Sequence, residues 1–462
     1  MATPAGTPTL KRALTLRDLI LYGIIVIQPV APMSVFGVLD QRSQGHVVTT
    51  LLIAMVAMLL TAFSYGRMAR AYPSAGSAFT YVGQEIHPAA GYLTGWSMVM
   101  DYMLNPMICI VWSSKGATDL LANVPVLSAI PFTGWAVFFF GLFTFFNLRG
   151  IETSARFNTI LAAGMGVVIV IFLAAGFRYI VGHTDSVEDL TRPIYDPDRW
   201  DPSAILHATS IAVLTYIGFD GISTLSEEVE NPRRNILLAT VLSCLFIGIL
   251  AVIEVYVAQL IWPPGEAYPT VETAFAHAAG RAGGTWLFSL IIITLTVANT
   301  GSGTGAQLGA ARLLYGMGRS GALPRRFFGY VDPKRRVPRN NVLFVGLVAL
   351  LGAFVLESTG GYELGAQLLN FGALIAFMGV NLAAFVRYFL RSAEKKMWDL
   401  VLPLGGFLIC LLLWLNLSTR AKVVGWIWVG VGLAFGAWKT RGFKGALVSF
   451  DIPTDTGDGK KS

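Results

Sequence analysis

The stretch "LTYIGFDGIST", Leu214 to Thr224, sets Asp220 between Gly218 and Gly221 inside a run that is otherwise apolar from Ile205 onward. A carboxylate is costly in hydrocarbon, and glycine lowers the cost of leaving helical geometry. Such a stretch makes sense if a membrane helix parts there and lines a wet site.

The surroundings are indeed hydrocarbon-like. Of 462 residues, 54% are hydrophobic and only 13% charged, and the mean hydropathy is +0.62. Apolar stretches long enough to cross roughly 30 Å as helices recur near 18–39, 47–66, 89–114, 132–148, 157–177, 204–225, 236–261, 284–311, 341–357, 364–386, 399–417 and 422–438. The reading is an all-α integral membrane protein with twelve transmembrane helices. Residues 1–17 form an N-terminal cytoplasmic segment, 18–438 the membrane domain and 439–462 a polar cytoplasmic tail. "MATPAGTPTLKRALTLRD" has no apolar core before a small-residue cleavage site and does not read as a signal peptide.

The net charge of +7 raises nucleic acid as a partner, but its distribution argues otherwise. With both termini cytoplasmic, about 26 of the 34 basic residues fall in cytoplasmic segments, the bias expected of a multi-pass protein of the inner (cytoplasmic) membrane. The bilayer is the partner and nucleic acid is not. Cys109, Cys244 and Cys410 lie in separate apolar segments and read as packing residues; the five histidines show no metal spacing, and no cofactor motif is present.

A second interruption falls in the first span, where "IVIQPVAPMSVFG" carries Pro29 and Pro32. Each lacks a backbone donor and obstructs the preceding turn. Freed backbone groups are tolerated at membrane depth only where protein or a watery cavity satisfies them. The two breaks are five spans apart, as equivalent elements of spans 1–5 and 6–10 would be if these were inverted repeats, and such pairs point to a transport site.

Three acids remain inside spans: Asp101, Asp220 and Glu254, with no clear intramembrane Lys or Arg. The imbalance leaves room for a cationic ligand or for protons. Asp101 shares a helix face with Asn105. Tyr102, Tyr216 and Phe219 are placed to meet an amine through cation–π contact. In "ANTGSGTGAQLGAARLLYGMGR", Asn299, Thr300 and Ser302 offer polar groups to a cavity, and Gly301, Gly305 and Gly309 read as a close-packing face. No Gly-Lys-Ser/Thr follows these glycines, so a phosphate loop is excluded.

Several phrases resemble the amino acid/polyamine/organocation superfamily of permeases: "FSYGRMARAYPSAGSAFTYVGQEI", "YIGFDGISTLSEEVENPRRNI" and "ARLLYGMGRSGALPRRFFGYVDPKRRVPRNNV". "WSMVMDYMLNPM" and "LLNFGALIAFMGVNLAAF" are most similar to its proton-driven putrescine importers. The resemblance implies a five-plus-five inverted repeat of leucine-transporter type with two further helices, a substrate between spans 1, 3, 6, 8 and 10, and alternating access. Amino acid permeases of the superfamily hold a substrate carboxylate on amides of a glycine-rich break in span 1. Here that place reads "QPVAPMS", which weakens carboxylate capture and favours an amine without one. A shifted register using the Met33 and Ser34 amides would instead serve an amino acid.

The expected substrate site is therefore Gln28, Met33, Ser34, Asp101, Tyr102, Tyr216, Gly218, Phe219, Asp220, Asn299 and Thr300, with Asp220, Asp101 and Glu254 available to carry protons. The expected function is proton-coupled import of an organic cation such as putrescine, the alternative being an amino acid permease or exchanger. A membrane enzyme would need a nucleophile or metal cluster, and a receptor a signalling domain; the sequence shows neither.

Overall fold

A computed structural model describes residues 14–73, 77–149, 155–183, 187–226, 229–263, 265–319, 323–332, 335, 337–440 and 442. Most of the expected N-terminal segment and tail lies outside these. In chain order the helices are α1 (Leu16–Ile27), α2 (Ala31–Arg42), α3 (Val47–Ala71), α4 (Ser77–Glu85), α5 (Pro88–Leu120), α6 (Phe132–Arg149), α7 (Ala155–His183), α8 (Val187–Thr191), α9 (Pro202–Ala212), α10 (Gly221–Thr224), α11 (Pro232–Ile261), α12 (Ala274–Gly283), α13 (Thr285–Arg319), α14 (Arg325–Phe328), α15 (Arg339–Thr359), α16 (Gly361–Phe385), α17 (Met397–Leu415) and α18 (Thr419–Lys439).

Local signals set the starts of these helices. At α1 the Thr15 hydroxyl accepts from the Asp18 amide, and the Asp18 carboxylate accepts from the Thr15 amide at 2.9 Å, a reciprocal capping box. Asp201 caps α9 by accepting from the Ser203 amide at 2.8 Å and the Ala204 amide at 3.2 Å, with Pro202 in the first position, where its missing donor costs nothing.

Among the described residues, ten helices are long and apolar enough to cross a membrane, or eleven if the bent pair α1 and α2 is one span. The expected count of twelve differs by α5, which is long enough at 33 residues but more polar than the others. The physical reason is its position. It packs against α4, α6, α13, α15, α16 and α18, and a helix surrounded by protein need not be apolar all round. Its buried Ser97 and Ser114 satisfy their hydroxyls on the carbonyls of Leu93 and Ile110, one turn back, at 2.9 and 2.7 Å.

Both expected interruptions are present. α1 and α2 meet at 44° across Gln28, Pro29 and Val30, and Gln28 has a φ of 67°. α9 tightens into a 3-10 turn at Val213–Tyr216, Ile217 becomes extended, and Gly218 takes a φ of 122° before the short α10.

The bundle end away from the N-terminus is tied together by several contacts. The segment leading to α12 packs on α2 so closely that a Cβ at Gly37 would strike the Val271 carbonyl. The Trp112 indole N–H donates to the Glu272 carbonyl at 2.8 Å, and the Tyr268 hydroxyl donates to Asp40 at 2.9 Å. Arg42 grips Glu363 through two hydrogen bonds of 2.9 Å, while Lys115 meets Glu357 at 2.7 Å. At the opposite end, buried Glu85 accepts from Arg387 at 2.6 Å, Arg391 at 2.7 Å and the Tyr72 hydroxyl at 2.7 Å, tying α4 to the end of α16. Burial and the hydrogen bond to Glu85 push the Tyr72 hydroxyl up to about 12.

Candidate functional site

The two breaks touch. A Cβ on Gly218 would lie 3.0 Å from Val26 Cγ1 and 3.3 Å from the Ile27 amide nitrogen, in a backbone conformation that L side chains rarely adopt. Only glycine lets the turn between α9 and α10 rest against the end of α1. From the same junction Gln28 reaches α13, its Nε2 donating to the Ala298 carbonyl at 2.9 Å.

Asp220 is the last residue of this turn and is 8% exposed. One of its oxygens accepts from the Gly218 amide at 3.2 Å, which curls the side chain back over the break. Asp101, on α5, is partly exposed and makes no hydrogen bond among the described residues. Tyr65 lies beside the break, its ring centre 5.6 Å from that of Phe219. No Lys or Arg among the described residues pairs with either acid. The structure thus places Gln28 and Gly218 at the two touching breaks with Asp220 on the second, while Asp101 and Tyr102 are neighbours on α5.

Tyr102 is held by its neighbour on α13, since a Cβ on Gly309 would stand 3.2 Å from its ring. Asn105, one turn beyond Asp101, accepts from the Ser302 hydroxyl and from the Cys109 thiol at 3.2 Å each, joining α5 to α13. It braces the helix that presents Asp101.

Other expected site residues point elsewhere. Tyr216 is fully buried and donates its hydroxyl to the Leu51 carbonyl at 2.9 Å, so it pins the break to α3. Phe219 is packed among Tyr65 and Phe377, with ring centres 5.6 and 5.2 Å away, and is fully buried. Asn299 and Thr300 each donate to their own helix one turn back, to Leu295 at 2.9 Å and Thr296 at 2.8 Å. Met33 is buried and its amide donates to Val30 at 3.1 Å, while the Ala31 amide donates to Gln28 at 3.1 Å. With Pro29 and Pro32 lacking N–H groups, the start of α2 has these amides committed to its own turn. Ser34 is buried in the next position of α2. Glu254 is fully buried in α11 with both oxygens unpaired, rather than facing water.

The glycine stripe of α13 also differs from expectation. Gly309 is packed, but a Cβ added at Gly301 or Gly305 would meet nothing within 4 Å; these two leave space rather than close it. One residue that spacing did not single out is Tyr65 on α3, fully buried with an unpaired hydroxyl. Its only sequence signal is its place in "FSYGRMARAYPSAG".

Comparison with known proteins places the chain among transporters. A family model described as amino acid permease matches residues 19–431. The chain is 35% identical to the "Low-affinity putrescine importer PlaP" of Escherichia coli over 96% of each chain. It is 26% identical to the "Branched-chain amino acid permease BcaP" of Bacillus subtilis over 94% of each chain, and 24% identical to the "Methylthioribose transporter" of the same organism, again over 94% of each.

Proposed function

The chain belongs to the amino acid permease family, and from that premise we propose that it imports a small organic cation, putrescine or a related polyamine, across the inner membrane by proton-coupled alternating access. The observation that carries this reading is Asp220 at the break, 8% exposed and without a basic partner among the described residues, with a second acid, Asp101, on α5 that also has no basic partner there. An ammonium about 4 Å from one carboxylate gains roughly 4 kcal/mol at an effective dielectric of 20. The similarity to a putrescine importer over nearly the whole chain supports the same substrate class. An amino acid would need donors for its carboxylate, and the start of α2 has spent its Ala31 and Met33 amides internally.

In this reading Gln28, Tyr102, Asp101 and Asp220 contact the substrate, while Ser34 lies one position deeper in α2. Protons are carried by the acids that have no permanent counter-charge: Asp220 and Asp101 in the site, and Glu254 in the core of α11. The end around Trp112, Tyr268 and Arg42 faces outward in this reading and the N-terminal side faces the cytoplasm. The two interruptions are the matching elements of a five-plus-five inverted repeat, with α5 completing twelve spans and α17 and α18 standing outside the repeat.

Counterflow in proteoliposomes tests the proposal. Labelled putrescine should accumulate against unlabelled putrescine inside, and excess leucine or arginine should not compete. Competition by amino acids at concentrations equal to putrescine would instead assign the chain to amino acid exchange.

A further inference from the structure

Arg70, Arg233 and Arg234, together with Leu237 and Leu238, line a cavity of about 500 Å³ where the end of α3 meets the start of α11. Several arginines at other helix ends are matched, Arg42 to Glu363, Arg281 to Glu266, Arg387 and Arg391 to Glu85. The three guanidinium groups of this cavity meet no carboxylate among the described residues. Its walls are fixed, because Gly66 on α3 lies so close to α11 that a Cβ there would stand 2.6 Å from the Leu237 Cα.

The cavity sits at a membrane boundary. Leu242, Phe246, Ile249 and Ile253 form an exposed apolar stripe along α11, and Leu238 and Arg234 continue it by one turn each at helical spacing. The stripe therefore runs from hydrocarbon up to a cluster of fixed positive charge. The side is that of the N-terminus, since Leu14 bridges to Val229 and its carbonyl accepts from the Glu230 amide at 2.9 Å, just before α11.

We propose that this cavity binds the headgroup of an anionic phospholipid of the inner leaflet, its phosphate held by Arg70, Arg233 and Arg234 and its glycerol and upper chain on Leu237 and Leu238. Guanidinium forks suit phosphate oxygens, and basic pockets between membrane helices on the cytoplasmic side take acidic headgroups. The volume falls in the range of small-molecule sites, and two leucines in the wall favour a lipid over a free anion. Because α3 and α11 flank the break that carries Asp220, an occupied cavity would brace both helices at once.

The test uses the purified full chain in detergent, with native mass spectrometry and thermal unfolding. The probes are phosphatidylglycerol, phosphatidylcholine of the same chains, and inorganic phosphate. Phosphatidylglycerol should be retained and should raise the Tm more than phosphatidylcholine. Each Arg→Ala change should weaken its retention about fivefold, and the Arg70→Ala/Arg233→Ala/Arg234→Ala variant should hold both lipids alike. An Arg→Lys triple, which keeps the charge, should retain most of the preference and serves as the folding control, and single Arg234→Gln replaces the triple alanine variant if that one does not fold. Equal retention of the two lipids by the unaltered chain, undiminished phosphatidylglycerol binding by the alanine variants, or equal protection by inorganic phosphate would overturn the lipid site.

Discussion

Replacing Asp220 by Asn separates charge from shape. The amide oxygen of Asn can still accept from the Gly218 amide, the 3.2 Å bond that curls the side chain over the break, so the turn should survive. The charge is what disappears. An ammonium about 4 Å away loses roughly 4 kcal/mol at an effective dielectric of 20, which sets an upper limit of about a thousandfold in affinity. Water in the site and the remaining field of Asp101 screen part of this, and we expect putrescine to bind at least about thirtyfold more weakly, corresponding to half that energy. The assay is saturation binding and uptake of labelled putrescine in proteoliposomes, with Tm as the fold control. Asp220→Ala supplies the contrast, because it also removes the Gly218 bond and should lower stability by about 1 kcal/mol. An Asn variant that melts normally and binds putrescine within about threefold of the unaltered chain would refute the role given to this carboxylate.

Two further perturbations probe the frame around the site. Gly218→Ala adds a Cβ 3.0 Å from Val26 Cγ1 at a φ of 122°, so it should cost about 1–3 kcal/mol, visible as a lowered Tm together with lost uptake. Glu254→Gln replaces an unpaired buried carboxylate by a neutral group; the Tm should hold or rise, while uptake should lose its dependence on an imposed proton gradient.

The breaks were legible because proline and glycine act on the backbone at their own positions, whatever the tertiary context. Asp101 and Asp220 were legible because acids are rare within apolar runs. What the linear pattern did not reveal is which way a helix is turned about its axis. Tyr216 and Phe219 flank the break in sequence as closely as Asp220 does, yet one is held by a carbonyl of α3 and the other by two aromatic rings. The hydroxyl of Thr300 and the amide of Asn299 found acceptors one turn away in their own helix, a choice open to any such residue in a membrane span. Gly301 and Gly305 follow the spacing of a packed seam but have no partner opposite them, since spacing records a face and not what covers it. The length of α5 suits a span although its composition is too polar to pass as one alone; packing against α4, α6, α13, α15, α16 and α18 accommodates that polarity.

The seat of Gly218 on Val26 and Ile27 has a mechanical corollary. Two flexible joints that share a bearing surface do not swing independently: tilting α1 shifts the turn that positions Asp220, and drawing that turn toward a ligand pulls on α1. On the proposed function, occupancy would reach the helix nearest the N-terminus through this contact, and substitutions at Val26 and Gly218 should combine non-additively.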